Sequence, residues 1–152
     1  MQSELQQKKP FSQPEEELYL SLIRTADMLS RHVSGLLKSV GISHAQYNVM
    51  RILRGAGAEG LPCGEISSRL ITRDPDVTRL LDRLAKRELV ERGRSTGDRR
   101  VVSAKITEAG LALLADLDKP VLKIHKDQFG FMAEAEVQRM LEQLEKVRER
   151  LD

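Results

Sequence analysis

The stretch from Arg73 to Thr107, RDPDVTRLLDRLAKRELVERGRSTGDRRVVSAKIT, joins an amphipathic helix with a basic outer side to a hairpin with a basic tip. Val77, Leu80, Leu81 and Leu84 recur at i, i+3, i+4 and i+7, the spacing of one helical face, while Asp76, Arg79, Arg83 and Lys86 fall on the other. One face belongs to a core; the other is free to meet a partner. Asp74 can accept a hydrogen bond from an otherwise unpaired amide at the helix start. Pro75, at the first helical position, gives up no bond that the helix could have made. After the helix, LVERGRS and RVVSAKIT flank TGD. The glycine supplies turn geometry and the flanks hold β-branched residues at strand spacing, so two strands and a loop are predicted.

The residues before this stretch complete a helix-turn-helix. Leu22, Ala26, Leu29, Val33, Leu36 and Val40 alternate steps of four and three, which predicts one long helix from about Pro14 to Ser39, ended by Gly41. Ser43 with Gln46 three residues later is a capping-box start for a second helix, with Ala45, Val49, Ile52, Leu53 and Ala56 on one face and GAGAEG as its end. A short third helix runs from about Cys63 to Leu70 with Ile66 and Leu70 inward, and Ile71 to Arg73 turn into the fourth. Beyond the hairpin, Thr107 can cap a helix through Leu111, Leu114 and Leu117 that Pro120 is expected to kink or divide. A last helix carries the stripe Val137, Met140, Leu141, Leu144, Val147 and Leu151. The expected fold is mainly α with a small β-hairpin wing. It comprises a loose segment at 1–13, then one domain over 14–152, with a winged helix-turn-helix core at about 43–107 between helices at about 14–40 and 108–152.

The order of that fourth helix, then Leu89-Val90-Glu91-Arg92, then Asp98-Arg99-Arg100, then Ile106-Thr107-Glu108-Ala109-Gly110, resembles the MarR (multiple-antibiotic-resistance regulator) family. The D-x-R…L-T-x-x-G wing pattern behind a recognition helix is the specific part. The likeness extends more loosely from about Glu15 to the C-terminus. Glu88 stands where the family often has a helix-ending glycine, Ala104 replaces a usual larger aliphatic, and Ile106 replaces leucine. The resemblance implies a homodimer held by the terminal helices and a sequence-specific regulator that binds double-stranded DNA at a pseudo-palindromic operator. It further implies a repressor released by a small-molecule effector. The effector cleft would lie where the winged core joins the dimerisation helices, near Arg24, His32, His44, Tyr47 and Arg51 on the first two helices. The resemblance also assigns a minor-groove arginine to the D-x-R segment, with Asp98 holding the guanidinium of Arg99 or Arg100.

Charge agrees with a polyanionic partner. The chain carries a net charge of +2, yet residues 69–100 hold ten Lys and Arg against six Asp and Glu, or +4, so the remainder sums to −2. A recognition helix meets the major groove with its N-terminal part nearest the bases. Arg73, Asp76, Thr78 and Arg79 are therefore candidates for base edges or adjacent phosphates, with Asp76 orienting Arg79 or Arg73. Arg83 and Lys86, farther along, suit phosphate, and Ser67 and Ser68 on the preceding helix can offer hydroxyls to the DNA backbone. Arg99 and Arg100 suit a narrow A·T-rich minor groove.

Other chemistry is thin. The 152 residues, 40% hydrophobic and 32% charged, suit one domain and leave no room for a separate enzyme. No nucleophile–base pair, phosphate loop or paired carboxylates are legible, so no enzyme is expected. His32, His44 and His125 share no metal-ligand spacing with Cys63, so neither metal nor cofactor is expected. Cys63, the one cysteine, opens a helix whose dipole could make it oxidisable. The peroxide-sensing members of the resembling family carry their cysteine in the first helix, however, and a buried, inert thiol is the expectation. No run of about 18 apolar residues and no apolar signal core exist, so no membrane is involved and a reducing cytoplasm is the expected setting. Two alternatives remain: a regulator that answers to cysteine oxidation, and a winged module that contacts a partner protein.

Overall fold

The computed structural model describes residues 1, 3–72, 76–94 and 102–151, with only the backbone of residue 94. The order is α1 (Pro14–Ser39), α2 (His44–Ala56), a 3-10 turn (Gly57–Glu59), β1 (Leu61–Pro62), α3 (Cys63–Ser68), α4 (Val77–Ala85), β2 (Val90–Arg94), β3 (Val102–Ile106), α5 (Glu108–Phe129) and α6 (Glu134–Glu149). Contacts divide it into two compact units, Met1–Ala115 and Asp116–Asp152, with α5 running through the division.

In the first unit, α1 has the predicted bounds, but its apolar stripe is buried only toward the C-terminal end, at Val33 and Leu37. Leu18, Tyr19, Leu22 and Ile23 are exposed. Gly41, at φ +73°, turns the chain into α2. The capping box forms as expected: Gln46 N donates to Ser43 Oγ at 3.2 Å and Ser43 N to Gln46 Oε1 at 2.9 Å. The buried face of α2 is Gln46, Tyr47, Val49, Met50 and Leu53, rotated from the expected one, with Ala45, Ile52 and Ala56 only half-buried. The segment before Pro14, expected to be loose, makes a turn in which Leu5 N donates to Met1 O at 3.1 Å.

The sheet has three antiparallel strands in the order β1-β3-β2, not the two of a bare hairpin. The added strand pairs Leu61 with Ala104 and Pro62 with Ser103. Gly60 permits the approach: a Cβ there would lie 2.3 Å from Ala104 O. Pro62, lacking a backbone donor, is tolerated on such an edge. Between β2 and β3 the register runs from Val90 with Ile106 to Arg94 with Val102.

Helix α3 ends at Ser68, two residues short of expectation, and Leu70 is half-buried beyond it. Asn48 Oδ1 accepts from Ile71 N at 2.9 Å and ties the turn to α2. Helix α4 starts later than the sequence suggested. Its cap is Asp76, whose Oδ1 accepts from Arg79 N at 3.0 Å, and Asp74 and Pro75 lie outside the described residues. Either aspartate satisfies a first-turn amide, so capping chemistry alone does not choose between them. Val77, Leu80, Leu81 and Leu84 are all buried, as their spacing requires. Thr107 Oγ1 accepts from Gly110 N at 3.0 Å and caps α5 as expected.

Helix α5 is neither ended nor divided by Pro120. The bond that proline forgoes belongs to the carbonyl of Asp116, an exposed residue that water can serve. In the second unit Leu117 and Val121 are buried, whereas α6 buries no residue, and its Met140, Leu141 and Val147 are exposed.

Candidate nucleic-acid interface

Turning four apolar residues inward leaves α4 with a polar outer face. Thr78, Arg79, Arg83 and Lys86 are exposed there and Asp76 is half-buried at its head. Asp76 does two things. Beyond capping the helix, its Oδ2 sits 2.9 Å from Arg79 Nε, the orienting contact expected of it. With the Arg79 side chain 78% exposed the pair adds about 0–1 kcal/mol to stability. Its effect is to aim a guanidinium. Arg83 and Lys86 are exposed and, among the described residues, have no ionic partner. Arg79 and Lys86 lie seven residues apart, roughly 10 Å along the axis, which fits within a major groove about 12 Å wide.

On α3, Ser67 and Ser68 are both exposed. Ser68 Oγ already donates to Glu65 O at 3.0 Å, leaving it an acceptor's role, and Glu65 also pairs with Arg69 at 2.9 Å. Arg73, Asp98, Arg99 and Arg100 lie outside the described residues. The strands that lead to the wing tip are braced. Lys105 Nζ pairs with Glu91 across them at 2.9 Å, and Arg92 Nη1 donates to Asp82 of α4. Arg92, mostly buried, fastens the wing to the helix that would read DNA, and nothing in its spacing announces this. The sheet also borders a groove of about 540 Å³ that includes Glu91, Arg92 and Lys105. These three charges are already paired as described.

The residues expected to line an effector cleft lie on α1 and α2. Arg24, on α1, pairs through Nε with Glu4 at 3.5 Å, and His32 is exposed two turns farther along the same helix. Tyr47 is a core residue, 4% exposed, with Arg51 Cζ 5.8 Å from its ring centroid. His44 borders a crevice of about 60 Å³ with Asn48, Ile71 and Thr72. That is room for a few waters, well short of the roughly 300 Å³ at which small-molecule sites begin. His125 faces Gln128 at 3.4 Å. Cys63, expected to be buried, is half-exposed at the first position of α3. Its side chain has no preceding helical turn to cover it. Among the described residues no cluster of three metal-ligating side chains forms, and no helix is long and apolar enough to cross a membrane.

These features can be set beside known proteins. The MarR family pattern matches residues 42–102, from the start of α2 to the wing. A MarR transcription factor from Planctomyces limnophilus is 38% identical, with 90% of this chain and 98% of that one covered and a TM-score of 0.69. The regulator MhqR of Bacillus subtilis is 27% identical over 86% of this chain and 89% of its own length. A MarR variant from Escherichia coli, solved with operator DNA, is 27% identical over 90% of this chain and 99% of that one, with a TM-score of 0.74. A buried-and-basic α4 behind a helix-turn, a braced wing and a likeness that spans nearly the whole of both chains lead to one assignment: this chain belongs to the MarR family and is a winged-helix, DNA-binding transcriptional regulator.

Proposed function

We propose that this regulator is a homodimeric repressor that reads a pseudo-palindromic operator through α4 and the wing and releases it when a small molecule binds. The carrying observation is the division of α4: four apolar residues buried, and on the outer face Thr78, an oriented Arg79, Arg83 and Lys86. The relative solved with operator DNA supports the same use of the fold. In this reading Thr78 and Arg79 meet base edges, Arg83, Lys86 and Ser67 meet backbone phosphates, and Ser68 joins them by turning its hydroxyl from Glu65 O to the DNA. Arg73 joins the major-groove set, and Arg99 or Arg100, held by Asp98, enters the minor groove.

A second copy accounts for apolar surface that this chain leaves in water. Leu18, Tyr19, Leu22 and Ile23 on α1 and Met140, Leu141 and Val147 on α6 are such residues, and two-fold pairing is the usual solution. A two-fold dimer would place its reading helices about 34–36 Å apart, one turn of DNA. The effector is expected beside α1 and α2, in a region that includes Arg24, His32, His44, Tyr47 and Arg51. Fragments of the source genome captured by the purified protein, followed by titration across salt, test the DNA reading. Enrichment of a two-fold symmetric sequence and a steep salt slope are expected, and salt-independent binding would point to a protein partner instead. Titrating phenolic compounds with and without that DNA tests release, because a releasing ligand must bind free protein more tightly than the complex.

A further inference from the structure

Three helices meet at the four residues, Lys86 to Leu89, that follow α4. The Arg87 amide donates to Leu84 O at 3.1 Å, and Leu89 N closes on the same carbonyl at 3.1 Å, around Glu88 in the left-handed region at φ +57°. The backbone of Arg87 is therefore fixed by α4. Its side chain goes elsewhere. Nη1 donates to Gly41 O at 2.6 Å and Nη2 to Val40 O at 3.0 Å, at the C-terminal end of α1 and 46 and 47 residues away in sequence. Carbonyls at a helix end lack intrahelical partners, and a planar guanidinium both satisfies two of them and meets the negative end of the helix dipole. The fit is close: a Cβ at Gly41 would lie 3.3 Å from Nη1.

The next two residues bind the start of α5. Glu88 O accepts from Thr107 Oγ1 at 2.7 Å, and Thr107 N donates to Leu89 O at 3.2 Å. A side chain at Gly110 would place its Cβ 2.3 Å from Leu89 O. Apolar burial at Leu81 and Leu84 sets how deeply α4 sits, but it is non-directional. Hydrogen bonds at the helix end have direction and, with the Arg92–Asp82 bond, restrain the angle of α4 beyond what packing sets.

We propose that Arg87 is a positioning residue for sequence reading. Each terminal nitrogen gives one N–H to α1, and the role assigned to the guanidinium is to hold that helix end rather than to touch base or phosphate. It clasps the reading helix to the end of α1, so that a tilt of α1 is passed to α4. The proposal rests on α4 as the reading element.

The test uses the full-length protein, a duplex selected by it from random-sequence DNA, and an unrelated duplex. Specific contacts need α4 at a defined angle, whereas phosphate neutralisation does not. Arg87→Ala is expected to bind the selected duplex about tenfold more weakly and the unrelated one within about twofold of the parent, at an unchanged salt slope. Arg87→Lys, which loses the planar fork, should lose roughly threefold. Arg87→Met keeps the apolar stem of the side chain while removing both donors and should repeat the Arg87→Ala pattern, which covers the case of an Arg87→Ala protein that does not fold. Equal weakening on both duplexes, or a salt slope lower by about one per protomer, makes Arg87 a phosphate contact and overturns the proposal. So does a lower melting temperature with parental affinity for the selected duplex. Arg79→Ala separates the two levels. If it binds as the parent does, α4 fails as the reading element and the clasp fails with it; a failure of the clasp alone leaves Arg79→Ala weakened.

Discussion

Helix α4 has nine residues and buries Val77, Leu80, Leu81 and Leu84, while α6 has sixteen and buries none, although both carry an apolar stripe at helical spacing. The α4 stripe is covered by its own chain, with Leu81 and Leu84 at 0% exposure. That of α6 leaves Met140 48% and Leu141 53% exposed. A periodic stripe states that a surface is suited to burial and is silent about what covers it. Its own fold answers for α4, which is what keeps the basic outer face presented in one orientation. For α6 the proposed answer is a second copy of the chain.

The strongest way to break this comparison is to remove the α6 stripe. Met140, Leu141 and Val147 are each about half exposed, and burying the remainder in each of two copies is worth about 1 kcal/mol apiece. Replacing all three with serine should abolish the dimer at micromolar concentration in sedimentation equilibrium while the circular dichroism of the winged core persists. A parent that sediments as a well-folded monomer would end the dimer reading. On the other side of the comparison, Leu81→Ala should lower unfolding stability by about 2–5 kcal/mol in chemical denaturation, whatever the protein concentration.

The outer face sharpens the contrast. Arg79→Ala should weaken operator binding by about 1–3 kcal/mol in a titration at fixed salt, and Arg99→Ala or Arg100→Ala should do the same for whichever enters the minor groove. Should both wing variants bind as the parent does, the wing braces rather than reads. Asp76 separates capping from aiming. Asp76→Ala should cost about 1 kcal/mol of stability, whereas Asp76→Asn, an equally good cap, should leave the melting temperature nearly unchanged and still weaken operator binding, since the charge on Arg79 loses its partner. An effect of similar size and opposite sign is expected at Glu88, which holds a left-handed conformation that glycine adopts freely. Glu88→Gly should stabilise the protein by about 1 kcal/mol, read as a small rise in melting temperature.

Glu88 also marks how far a sequence can be read. Its departure from a family pattern is visible in the letters, but its positive φ is not. The buried face of α4, the Ser43–Gln46 box and the Thr107 cap were legible because each is decided within one helical turn, where spacing and side-chain reach leave one solution. The rotated face of α2 was not. Gln46, Tyr47 and Met50 are buried because of what packs on them, and hydrophobicity alone favoured Ala45, Ile52 and Ala56. Two residues of β1 are too few for any period, and they pair only because β3 offers an edge and Gly60 allows the approach.

The sequence by itself determined which segments are helices, which side of α4 is basic, and that a hairpin follows it, since these depend on residues within a few positions of one another. The tertiary structure decided the contacts that join distant segments: Arg92 to Asp82 across ten residues, Asn48 to the α3–α4 turn across 23, and Arg87 to the end of α1 across 46. A long cationic side chain reaches whatever acceptor the fold brings near it. Its partner is a property of the packed chain, and no spacing in the sequence encodes it.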